Sequence, residues 1–249
     1  MRMPTWLRRT LIVSLSVLAV LAVVVAIYAQ PLSAQIAALG AMKGSATVTV
    51  RDEAAQIVYA PNSGSRKGLI FYQGAKVAPS AYSVPLLEIA EAGFTVFVPK
   101  MPLNFAVLGS GAAKSIIDAH PEISAWAIAG HSLGGAMACS YAVTDPRVKV
   151  LIFWAAYCDK SFDLSGNSSI AVTSISGVLD GLATLAKVRA TKAFAPPSTV
   201  YIRIAGMNHA QFGDYGAQSG DNPATLGATE ATQRVVAATL KALGKLEAK

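Results

Sequence analysis

One stretch of the chain carries a serine in a frame suited to acyl transfer, Gly130-His131-Ser132-Leu133-Gly134-Gly135. A hydroxyl becomes a nucleophile when a base takes its proton, and glycines two positions to either side let a strand and a helix close around it. The apolar run 125–129 reads as that strand and 133–143 as that helix. Ser132 is therefore expected on a strained, exposed turn, with the first N–H groups of the helix facing the charge that develops during acyl transfer.

The base has to be one of three histidines, His120, His131 and His209. His131 is expected to pack inside, away from its neighbour, and His120 precedes Pro121 at a helix end. His209 follows the last apolar strand on a glycine-bearing loop, Ala205-Gly206-Met207-Asn208-His209, which can return the imidazole to Ser132. The acid that fixes its tautomer is expected to be Asp180, in Gly177-Val178-Leu179-Asp180-Gly181, with Asp159 as the rival one strand earlier. Oxyanion donors are expected from the N–H groups of Leu133 and of Ala75, the latter in the loop Gln73-Gly74-Ala75. Met101, Leu103, Phe105, Trp154, Tyr157 and Phe212 are candidates for a substrate pocket, with Met101, Leu103, Trp154 and Phe212 preferred, and plain core is the competing reading for each. Such a lining suits a small uncharged ester.

These residues need a scaffold, and the pattern supplies an α/β one. Short apolar runs at 46–50, 57–60, 68–72, 94–98, 125–129, 148–154, 170–175 and 199–204 read as about eight strands, the first two as edge strands. Helices are expected over 81–91, 106–119, 133–143, 182–192 and 229–243. This β–α alternation indicates a mostly parallel central sheet flanked by helices. The short connection between 154 and 170 leaves no room for a cap domain, so an open site is expected.

The N-terminus has another character. Residues 11–29 carry no charge and follow Arg2, Arg8 and Arg9. A block this long spans a bilayer's hydrocarbon layer and is read as a retained signal anchor or transmembrane helix, with a cleaved export signal as the alternative. The arginines place the catalytic part outside the membrane. Residues 1–30 are thus assigned to the anchor, 31–43 to a linker and 44–249 to the catalytic domain. Cys139 and Cys158 are read as two free, buried thiols.

With 21 basic and 14 acidic residues, and three of the arginines in the N-terminal segment, the remainder has too small a surplus for a nucleic-acid surface. No metal-ligand spacing occurs. Asp214 and Asp221 read as solvated turn residues, and no cofactor is required for acyl transfer to water.

Five segments together carry a resemblance: Phe71-Tyr72-Gln73-Gly74, Lys100-Met101-Pro102-Leu103-Asn104, Gly130-His131-Ser132-Leu133-Gly134-Gly135, Asp180-Gly181-Leu182-Ala183-Thr184 and Asn208-His209-Ala210-Gln211-Phe212-Gly213. From about Gly68 onward the chain resembles a lidless α/β-hydrolase group, distantly similar to dienelactone hydrolases. The resemblance implies the α/β-hydrolase fold, a Ser132-Asp180-His209 triad and oxyanion donors at Ala75 and Leu133. Dienelactone hydrolases use cysteine where this chain has Ser132, so lactone specificity does not carry over. A serine hydrolase of carboxylic ester hydrolase type is the resulting expectation. An acyltransferase using the same triad, or a membrane-tethered protein that binds without turnover, are the alternatives.

Overall fold

The computed structural model describes residues 4–28 and 30–247. Arg2 and Ala29, which the sequence reading used to delimit the apolar block, lie outside the described residues.

Helix α1 (Thr5–Tyr28) carries Arg8 and Arg9 near its start and is otherwise predominantly apolar; its 21-residue stretch Thr5–Val25 is long and apolar enough to cross a membrane and is 0% buried against the rest of the chain. Nothing in the folded unit covers it. It fits an anchor and a signal sequence equally well by length and composition.

The strands are β1 (Val48–Asp52), β2 (Gln56–Pro61), β3 (Lys67–Tyr72), β4 (Thr95–Pro99), β5 (Ala125–His131), β6 (Val148–Trp154), β7 (Ala171–Gly177) and β8 (Val200–Ile204). They form one eight-stranded sheet in the order β1-β2-β4-β3-β5-β6-β7-β8. β2 runs antiparallel to both neighbours, and β4 to β8 pair in parallel with β3 among them. Only β1, not β2 as well, is an edge strand at this end, because β2 also pairs with β4.

Alternation along the strands sends successive side chains to opposite faces. Leu69, Phe71, Ile152 and Trp154 join the core under α3 (Ser83–Glu91) and α7 (Ala228–Leu243). Ile70, Tyr72, Leu151 and Phe153 join the core under α4 (Ala112–Ala119) and α5 (Leu133–Thr144). Parallel strands buried on both faces explain why the sequence shows continuous apolar runs there.

Two expected helices are shorter. Residues 106–119 are a 3₁₀ turn (Ala106–Leu108) and then α4, separated by Gly109-Ser110-Gly111. In place of 182–192 the helix α6 is Leu185–Ala190, because the carboxylate of Asp180 accepts the N–H groups of Leu182 and Ala183 and holds them in a loop. Thr184 then accepts from Lys187 N as the cap.

Residues 31–43 are not a free linker. Leu32 N donates to Lys76 O at 2.6 Å and Leu32 O accepts from Ala78 N at 3.0 Å, a bridge to the loop after β3. Helix α2 (Ile36–Ala41) follows, with Ala38 fully buried and its N–H bound to Asp214 Oδ2 at 2.8 Å. The folded unit thus begins at Leu32. Residues 34–38 read as a linker because the burial of Ala38, the one buried residue among them, depends on a loop remote in sequence.

The two thiols are paired, which corrects the free-thiol reading. Cys139 on α5 and Cys158 after β6 form a disulfide with a Cα–Cα distance of 5.7 Å. Both positions are buried, as expected, but β5 and β6 are neighbours, so α5 and the chain leaving β6 bring the two sulfurs together. With 19 residues of sequence separation, loop-entropy arguments give the bond about 3 kcal/mol. Urea unfolding with and without dithiothreitol, and of the C139S/C158S variant, is expected to show a loss of roughly 2 to 4 kcal/mol. An unchanged midpoint would contradict the bond.

Candidate active site

Ser132 sits between β5 and α5 at φ 52°, ψ −124°, a conformation that side chains rarely adopt. The turn is so tight that a Cβ on Gly134 would stand 2.3 Å from the carbonyl oxygens of both Tyr72 and Gln73. Glycine at that position lets α5 lie directly on the end of β3. Ser132 N donates to Trp154 O at 2.9 Å, tying the turn to β6 as well.

All five non-glycine residues with positive φ among the described residues, Lys76, Leu103, Asn104, Ser132 and Ala155, follow the C-terminal ends of β3 to β6. Strained backbone therefore gathers at one edge of the sheet, where ligands bind in open parallel sheets.

Asp180 and His209 reach that edge from β7 and β8. His209 Nδ1 lies 2.8 Å from Asp180 Oδ2, with both side chains fully buried. The other carboxylate oxygen, Oδ1, accepts from Leu182 N and Ala183 N at 2.8 and 2.7 Å, which fixes its rotamer. An acid on Nδ1 directs the free lone pair of a neutral imidazole to Nε2. Nε2 of His209 has no hydrogen-bond partner among the described residues, so the bond to Ser132 is not formed in this conformation. Such bonds are often long before substrate arrives. The rival acid Asp159 is exposed and caps a turn through Ser161 N at 2.7 Å. His120 is beside Glu122 at 2.8 Å.

In the loop after β3, Gly74 N donates to Tyr82 Oη, Lys76 N to Asn104 O and Val77 N to Gly74 O. The N–H of Ala75, between them, has no acceptor among the described residues. Leu133, as the first residue of α5, has an N–H that no helical carbonyl can accept.

His131 lies behind this constellation, its ring 4.4 Å from that of His209 and its Nδ1 2.9 Å from Tyr82 Oη. Burial, then the neighbouring His209, holds its pKa well below the usual 6.5. Phe212 stacks on His131 at 5.5 Å, and Trp154 packs 4.7 Å from Phe71 with Nε1 bound to Thr239. Trp154 and Phe212 are fully buried and pack near each other, with 6.2 Å between ring centroids, so they belong to the core and do not line a pocket. Their strand-edge positions suggested lining, but the alternation of the sheet turns Trp154 toward α7. Met101 is also buried, Leu103 is 51% exposed, and Phe105 and Tyr157 are half-buried.

Asp214 and Asp221 are not the solvated turn residues expected from the sequence, and Tyr82 and Gln73 were missed altogether. Asp221 accepts from Gly181 N and Ala210 N, both at 2.9 Å, and so joins the residues that follow Asp180 and His209. Asp214 holds α2 against the same loop. The Tyr82 hydroxyl links Gly74 to His131. Gln73, beside the nucleophile turn, is buried with both amide atoms unpartnered. A G-x-x-D-G or N-H-A motif shows which residue ends a strand, but not which distant turn closes over it.

A family model described as "Alpha/beta hydrolase family" matches residues 68–233, about two-thirds of the chain. The chain belongs to the alpha/beta hydrolase family. The hydrolase has the fold of several solved structures. A CIB-like hydrolase from Thermoplasma acidophilum is 14% identical with a TM-score of 0.58, over 76% of this chain and 97% of that one. A dienelactone hydrolase-like promiscuous phosphotriesterase from metagenomic libraries is 14% identical with a TM-score of 0.60, over 79% and 99%. A thermophilic esterase from the Planctomycetes species Thermogutta terrifontis is 14% identical with a TM-score of 0.53, over 81% and 94%. No curated protein matches the hydrolase.

Two outcomes are expected. Asp221→Ala leaves the N–H groups of Gly181 and Ala210 without an acceptor, so steady-state kinetics should show kcat falling at least about tenfold with little change in KM, alongside a stability loss of about 1 to 3 kcal/mol. His131 stays neutral in the fold while the unfolded chain takes up a proton below about pH 6.5. Stability therefore falls as pH drops from 6.5 toward 5, by at most about 1.4 kcal/mol per unit for one proton. Denaturant titrations at several pH values should show this slope reduced in His131→Phe, and an identical slope would refute the neutral-histidine account.

Proposed function

We propose that the hydrolase cleaves a carboxylic ester by way of an acyl-enzyme, on the outer side of a membrane. The observation that carries this reading is the buried Asp180–His209 pair, at the sheet edge that also holds Ser132 in its strained turn.

In the proposed mechanism, Ser132 Oγ bonds to the substrate carbonyl carbon as His209 Nε2 takes its proton. The N–H groups of Leu133 and Ala75 receive the charge on the carbonyl oxygen. Collapse of the tetrahedral intermediate breaks the bond to the leaving alcohol, which takes the proton from His209. Water, deprotonated by His209, then attacks the acyl-enzyme and releases the acid with Ser132 restored. Asp180 stabilises the imidazolium in both halves. No step needs a metal or cofactor. That the Thermogutta terrifontis protein of the same fold is an esterase supports the same bond type.

The outward location is supported by α1, which carries Arg8 and Arg9 in its first turns ahead of the uncharged stretch, and by the disulfide, since such bonds persist in oxidising compartments. The decisive experiment is labelling of the full chain with a fluorophosphonate, which reacts only with an activated serine. Wild type should label, and Ser132→Ala should neither label nor retain more than about a thousandth of the kcat on a short-chain 4-nitrophenyl ester. A folded wild type that does not label would refute the proposal.

A further inference from the structure

We infer that the catalytic edge of the domain lies against the bilayer and that the ester it cleaves is a long-chain lipid ester drawn from that bilayer. The inference rests on the Ser132 hydrolase reading and on α1 as a retained anchor.

Chain length carries the first part. The 24 residues of α1 extend about 36 Å at about 1.5 Å per residue, against a hydrocarbon layer of about 30 Å, so Tyr28 falls at the headgroup level. Leu32 N is bound to Lys76 O, next to the free N–H of Ala75. The covalent path from Tyr28 to Leu32 reaches at most about 14 Å. A compact domain of this size has a radius of about 20 Å on the usual scaling. The tether is shorter than that radius and ends on the oxyanion loop, so the domain cannot turn its catalytic edge away from the membrane.

The surface pattern carries the second part. Outside α1, the exposed large apolar side chains among the described residues are Ile36, Leu39, Leu103, Val107, Leu108 and Val178, together with Val143 and Val200. The first two sit on α2, just past the tether, and the next four follow the C-terminal ends of β4 and β7, on the catalytic edge. Only Val143, at the far end of α5, and Val200, at the start of β8, lie at the opposite edge. Val107 and Leu108, 54% and 56% exposed, share a short 3₁₀ turn and would face water with no return unless something apolar covers them. The tether names that cover as the lipid surface. An ester whose acyl chain lies in the same leaflet reaches Ser132 without crossing water, and acylation would release its alcohol and leave the fatty acyl group on Oγ until water frees it.

The test uses the full chain reconstituted in phosphatidylcholine vesicles. In a Ser132→Ala background, so that the readout does not depend on turnover, Val107→Cys or Val143→Cys carries an environment-sensitive fluorophore. Quenching by nitroxide-bearing lipid is expected at position 107 and not at 143. Equal accessibility to water at both positions, or shielding of 107 that appears only with self-association of the protein, would overturn the docking. With Ser132 intact, V107E/L108E is expected to lower hydrolysis of a long-chain ester held in the vesicle at least tenfold, while hydrolysis of a soluble short-chain ester stays within twofold. Cleavage of the soluble ester with none of the vesicle-borne one would overturn the substrate assignment alone. Failure on both esters would overturn the hydrolase reading and the substrate with it, and the quenching result would still decide the docking.

Discussion

A side chain at φ 52°, ψ −124° between a strand and a helix survives only where the surroundings over-determine it, at a cost of order 1 to 3 kcal/mol. Around Ser132 three neighbours do so. Tyr72 and Gln73 press their carbonyls against Gly134, Trp154 O takes the N–H of Ser132, and the bond from Cys139 to Cys158 fastens the middle of α5 to the chain leaving β6. β3, β5, β6 and α5 are therefore fixed relative to one another before any loop is considered. The strain at Ser132 is thus held from three sides, while the serine itself stays half-exposed.

The loops that bring His209 and Asp180, the proposed base and acid, have no such framework and rely on polar ties. Asp180 spends one oxygen on its own loop and the other on His209, and Asp221 spans the residues that follow both. Beneath them is a layer of buried rings, with His131 between Tyr82, His209 and Phe212. A charged His131 so close to His209 would oppose the imidazolium that acyl transfer needs. Burial keeps it neutral, and the Tyr82 hydroxyl gives it a partner that serves Gly74 at the same time.

The architecture was legible in the sequence where the cause was local. Apolar runs buried on both faces marked β3 to β7, and the spacing of Gly130, Ser132 and Gly134 marked the turn, because sterics at those positions act over a few residues. Legibility failed where burial depended on remote chain. Residues 31–43 have a linker's composition, yet Ala38 is buried because Asp214, far along the chain, binds its N–H. Cys139 and Cys158 each looked like an ordinary core thiol, since nothing local reveals that the other sulfur is the neighbour. Trp154 and Phe212 were placed at the correct edge but on the wrong side of it, because a position at a strand's end does not say which face the last side chain takes.

The docked segment changes what counts as the catalytic unit. Leu32 bonds the loop that holds Ala75, and Gln35 and Ala38 bond Asp214 in the loop that follows His209. One short piece of chain thus braces an expected oxyanion donor and the expected base at once, and it is the same piece that leaves α1. Cutting at residue 44 would remove these bonds and uncover the apolar surface under Ala38, whereas cutting before Leu32 would remove only α1 and the residues that join it to the domain. Because the brace and the tether are continuous, whatever fixes α1 in place also fixes the orientation of the loops around Ser132.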